Sequence, residues 1–168
     1  MSVERRQALR RKYLSLGLGE LVAALVFAIV AAASITPRFS GDSDAAALWS
    51  ALIPLLVVLV QAGAYWLAAR GWVERAPMPA GWASTYRMFR LADAAMLAAG
   101  LLGVIVWWPE SVGATLVVLA VWTFGVLEYV NYFVVRLAYP VSRWFTTVGQ
   151  WRTPRLVQDL RGAAPALR

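Results

Sequence analysis

The chain has 168 residues, 61 % of them apolar, with 16 basic and 9 acidic side chains and neither cysteine nor histidine. Lacking thiols and imidazoles, it has no disulfides, no thiolate or imidazole metal ligands and no Ser/His or Cys/His catalysis; no metal or cofactor is expected. A mean hydropathy of +0.62 exceeds what one small soluble core can hide, because domains of this size bury a limited share of their surface. The net charge of +7 does not imply nucleic acid, because the basic residues flank apolar runs and form no single stripe. Arginine far outnumbers lysine and alanine is abundant, a coding bias expected of a GC-rich bacterial genome.

Residues 1–13 read as a basic cytoplasmic segment, with Arg5, Arg6, Arg10, Arg11 and Lys12. The first apolar run, 14–35, competes with a signal peptide, since Ala31, Ala32 and Ala33 form a small-residue stretch. Glu20 inside the run argues for a permanent span. Thr36-Pro37 ends it, and Gly41-Asp42-Ser43-Asp44 reads as a polar turn. Further runs at 46–69, 88–108 and 112–135 are each long enough, at ~1.5 Å per residue, to cross ~30 Å of hydrocarbon. Pro77, Pro79 and Gly81 predict an irregular loop over 70–87, and Trp108-Pro109-Glu110 allows only a tight hairpin.

The expected fold is all-α: a four-transmembrane-helix bundle over 14–139, followed by a cytoplasmic amphipathic region, 140–168. Within that region Val141, Trp144, Phe145 and Val148 recur at helical spacing. Thr153-Pro154 reads as N-cap and first residue of a second short helix reaching about Arg161, with Leu156, Val157 and Leu160 on its apolar side. Such helices dock on the membrane or on the protein's own loops, or offer a surface to a partner.

Four spans place every basic residue except Arg38 on one side, 15 of the 16. The positive-inside rule then puts both termini in the cytoplasm of a cell-membrane protein. Phe39, Trp49, Trp107 and Trp108 fall at the outer boundary, and Trp72, Trp82, Tyr86 and Trp144 at the inner one, as aromatic belts do.

Glu20, Asp93 and Glu128 lie inside these apolar runs, where a carboxylate costs roughly 2.5–3.5 kcal/mol at mid-membrane. Each sits five to seven residues from the Arg-rich end of its span, roughly 7–11 Å deep, and Gln61 lies slightly deeper in the second span. Each span thus supplies one polar residue to a layer. Tyr65 and Tyr132 follow Gln61 and Glu128 by four residues, and Asn131 follows Glu128 by three, so hydrogen-bond donors share their faces. Arg90 precedes Asp93 by three and is placed to pair with it. The layer reads either as fasteners between helices or as a cytoplasm-facing pocket built from Glu20, Gln61, Tyr65, Arg90, Asp93, Glu128, Asn131 and Tyr132.

Three functions compete for these residues. The favoured one is binding or transport of a small molecule, lipid or ion. A second is acid–base catalysis by Glu20, Asp93 and Glu128 on a lipid or isoprenoid substrate, a cyclisation for example. The third is an accessory or scaffold subunit of a larger membrane assembly. The expected partners are the lipid bilayer and a second copy or another membrane subunit.

Overall fold

The computed structural model describes residues 3–39, 41–137 and 153–163. Among them there are five α-helices: α1 (Val3–Val30), α2 (Asp42–Trp72), α3 (Ala80–Val106), α4 (Val112–Phe133) and α5 (Arg155–Arg161). The first four are long and apolar enough to cross a membrane. The short helix anticipated around 141–148 lies outside the described residues.

Four boundaries differ from expectation, the first being the polar turn at 41–44, where α2 already begins at Asp42. The basic segment 1–13 is not separate, because α1 runs unbroken from Val3 through residues of good helix propensity such as Ala8, Leu9 and Arg10. The irregular 70–87 loop shrinks to 73–79, since α2 continues to Trp72 and Pro79 takes the N-cap position of α3. Within that short connection Glu74 adopts a positive φ of 55° and pairs with Arg5 at 3.3 Å, which ties the start of α1 to the end of α2. Pro154 likewise caps α5, one residue later than Thr153 was expected to. The tight hairpin between α3 and α4 is present, and Ser111 caps α4 by accepting from the Ala114 N–H at 3.1 Å.

The bundle is organised around α2, which packs against α1, α3 and α4. Half of its most apolar stretch is buried, against 11–22 % in the other three. Glycines let the backbones approach. A methyl placed on Gly17 would lie 3.0 Å from the Gly63 carbonyl oxygen, and one on Gly63 would lie 3.0 Å from that of Gly17, so α1 and α2 cross backbone to backbone. The α2–α3 seam follows from Pro54. It lacks an N–H, so the Ser50 carbonyl one turn earlier loses its helical donor. Gly100 of α3 packs on that oxygen, where a Cβ would come within 2.6 Å. Gly125 similarly admits Leu55 and Leu97 against α4.

These pairings fix the topology. Gly17 meets Leu67 while Leu21 meets Gly63, and Gln61 meets Asp93 while Ser50 meets Gly100, so α1 and α3 both run antiparallel to α2. The start of α1, the end of α2, the start of α3 and the end of α4 therefore share one end, which carries the described basic residues other than Arg38. Around that Arg-rich end Tyr13, Tyr65, Trp72, Tyr86, Tyr132 and Phe133 form an aromatic cluster. The opposite end is aliphatic, built on Leu48, Leu52, Leu55, Val104 and Val118. It is closed by Asp44, 3 % exposed, which accepts the Glu110 N–H at 2.9 Å. The outward faces remain apolar: Leu25 is 60 % exposed, Leu91 75 % and Val112 78 %.

Gly100→Ala drives a Cβ into a backbone carbonyl that cannot swing aside, whereas Gly19→Ala on α1 meets nothing within 4 Å. The first substitution is expected to cost about 1–3 kcal/mol and the second nothing. Thermal unfolding in detergent, followed by helical circular dichroism, compares the two; equal midpoints would refute the α2–α3 contact.

Candidate functional site

The polar residues of the apolar runs separate into two groups on different sides of α2. On one side Glu20 of α1 accepts a 2.5 Å hydrogen bond from the Tyr132 hydroxyl of α4, and that hydroxyl accepts from Trp66 Nε1 of α2 at 3.2 Å. One phenol thus joins three helices. Glu128 stands half-buried nearby, within charge–charge range of Glu20 and hydrogen-bonded to Asn131. Asn131 Oδ1 also accepts the Leu137 N–H at 2.9 Å, so it anchors the chain where α4 ends.

On the other side Gln61 Nε2 donates to Asp93 Oδ1 at 3.0 Å, linking α2 to α3. The Tyr86 hydroxyl donates to the Gln61 backbone carbonyl at 2.7 Å. Asp93 is fully buried. Arg90 does not pair with it: its side chain is exposed, no ion pair joins the two, and its backbone carbonyl accepts from Tyr129 at 3.1 Å. The three-residue spacing allowed that contact, but Asp93 faces α2 while Arg90 faces outward. Between the two groups there is only a gap of about 10 Å3 beside Gln61, Tyr86 and Tyr132, too small for any ligand larger than a water. Glu20 and Glu128 thus stand on one side of α2, and Gln61 and Asp93 on the other.

Tyr65 belongs to a third cluster. Its hydroxyl donates to Asp159 Oδ2 at 2.9 Å, Trp72 Nε1 donates to the same oxygen at 3.1 Å, and Arg155 Nε holds Asp159 Oδ1 at 3.0 Å. Arg87 reaches the Leu160 carbonyl at 3.3 Å. With Leu156, Val157 and Leu160 buried beneath it, α5 is docked on the Arg-rich end of the bundle. Asp159, Trp72 and Tyr86 were missed as site residues. Asp159 falls on a short segment whose sequence signal is its apolar side, and Trp72 and Tyr86, expected at the inner boundary, are buried in the aromatic cluster there.

With α5 docked, α1, α2, α4 and α5 line an open cavity of about 330 Å3, within the range of ~300–1,000 Å3 usual for small-ligand pockets. Glu20, Trp66, Asn131 and Tyr132 supply its hydrogen-bonding groups, and Leu9, Tyr13, Leu16 and Leu156 its apolar walls. Lys12 and Arg136 bring positive charge to the lining opposite the Glu20 carboxylate, while the guanidinium of Arg155, also in the lining, is paired with Asp159. Of the candidate site residues Glu20, Asn131 and Tyr132 line it; Gln61, Tyr65, Arg90, Asp93 and Glu128 do not. Among the described residues no three acidic side chains converge as a metal site would need. No protein-family model, curated protein or solved structure matches this chain.

Asp159→Asn leaves Tyr65 and Trp72 without a charged acceptor and frees Arg155. Charge-assisted bonds of this kind contribute about 1.5–3 kcal/mol. Trypsin should therefore cut at Arg155 and Arg161 about tenfold faster in the variant, because cleavage follows the undocked population. Unchanged cleavage would mean that Asp159 does not hold α5.

Proposed function

We propose that this chain is an integral membrane protein that crosses the bilayer four times with its Arg-rich end in the cytoplasm, and that its cavity binds a small amphiphile carrying an anionic group, a lipid or lipid-like compound. The cavity itself carries the reading: apolar walls, cations toward the end where α1 begins and α4 stops, and the Glu20–Tyr132–Trp66 hydrogen bonds about two helical turns away, since Glu20 follows Lys12 by eight residues. An anionic head suits Lys12 and Arg136, with Arg155 shared with Asp159, an apolar body suits Leu9, Leu16 and Leu156, and a hydroxyl or amine suits the carboxylate.

The four apolar helices and their bare outward faces support membrane insertion, since patches of this extent are not left in water. Orientation is supported by the gathering of basic residues at one end. Binding is favoured over transport because the far end is packed with aliphatic side chains and fastened by Asp44 to Glu110. It is favoured over two-carboxylate catalysis because, of Glu20, Asp93 and Glu128, only Glu20 lines the cavity.

Leu16→Trp fills the cavity without removing a polar group. Native mass spectrometry of protein gently extracted from membranes should find one small molecule retained per chain in the wild type and at least about tenfold less in the variant, about 1.4 kcal/mol of lost affinity. Equal retention would refute the cavity as the binding site.

A further inference from the structure

The Asp93–Gln61 pair lies outside the cavity and poses a separate problem. Asp93 is 0 % exposed, and of its two oxygens only Oδ1 has a partner, the Gln61 amide N–H at 3.0 Å. Asp93 Oδ2 and Gln61 Oε1 are both buried and both without a hydrogen-bond partner among the described residues. Two orphaned acceptors on adjoining side chains are costly in an apolar interior, and an unpaired carboxylate charge there costs more. One donor placed between them would satisfy both.

Among the described residues the neighbouring elements offer no such donor. On α2 the Tyr65 hydroxyl is taken by Asp159. On α3 the Tyr86 hydroxyl is turned to the Gln61 backbone, Arg87 reaches the Leu160 carbonyl, and Arg90 is exposed with no ion pair to Asp93. On α4 the hydroxyls of Tyr129 and Tyr132 go to the Arg90 carbonyl and to Glu20, and Glu128 is bonded to Asn131. Among the described residues no cation pairs with Asp93.

We infer that Asp93 and Gln61 form a binding site for one proton: Asp93 Oδ2 takes a proton from water and donates it to Gln61 Oε1, closing a cyclic acid–amide pair across α2 and α3. The carboxylate becomes neutral, no bond of the chain breaks, and each side chain both donates and accepts. Proton occupancy is thereby coupled to the seam where Gly100 packs on Ser50, two turns further along α3.

Asp93→Asn tests this, because an Asn amide supplies the same donor permanently. In phosphatidylcholine nanodiscs at neutral pH, infrared spectra of wild-type protein made with carboxyl-13C aspartate should contain a protonated-carboxyl C=O band that shifts with the label; Asp93→Asn should lack it. The wild-type unfolding midpoint should fall as the medium is made alkaline enough to remove the proton, while that of Asp93→Asn stays constant. A wild-type spectrum with only carboxylate bands overturns the inference, and it needs no variant to fold. A variant midpoint that follows the wild type also overturns it, as does a wild-type midpoint raised by sodium ions at constant pH with loss of the band, which would make this a metal-cation site.

Discussion

Hydrogen bonds between helices, not within them, set the character of this bundle. Its outward faces are apolar, so a polar side chain that turns inward is best satisfied by a group on another helix. Tyr132 answers Glu20 and Trp66, Gln61 answers Asp93, and the Trp122 indole reaches the Leu97 carbonyl at 3.0 Å. Such bonds are individually modest, of the order of 1 kcal/mol in apolar surroundings. Their direction matters more than their strength, because each fixes the rotation of one helix against the next. They work only because Gly17, Gly63, Gly100 and Gly125 bring the backbones close enough.

The central position of α2 follows from the same logic. It holds both Gln61 and Trp66, which face opposite sides and serve different neighbours. It also holds Pro54, whose missing N–H leaves a carbonyl for α3 to cover. The two ends of the bundle then diverge. The aliphatic end is closed by Asp44 on Glu110, while the Arg-rich end is aromatic and carries α5, and a cavity of ligand size forms there.

The four apolar helices were legible in the sequence because length and composition alone set the ability to cross a membrane. So were the intrusive carboxylates, since Glu20, Asp93 and Glu128 interrupt apolar runs. Their grouping was not legible. Depth along a helix can be counted from residue numbers, but the direction each side chain faces depends on which helix stands beside it. Four matched depths therefore looked like one site, when α2 stands between Glu20 and Asp93. The role of Asp159 was out of reach for a similar reason: its partners Tyr65 and Trp72 are 94 and 87 residues away in the chain. Arg90 shows the limit of spacing rules, since a three-residue interval permits a contact that the rotation of α3 forbids.

In the proposed orientation the cavity opens to the cytoplasm at the Arg-rich end of a membrane-spanning bundle. A chain without cysteine allows single-cysteine labelling with no background. Cysteine placed at Leu16 on the cavity wall, and separately at Val112 at the opposite end, can be challenged with a membrane-impermeant maleimide in inverted and right-side-out vesicles. The account predicts labelling at 16 only in inverted vesicles and at 112 only in right-side-out ones. Labelling at 16 from the outer face, or at both positions from the same face, would contradict it.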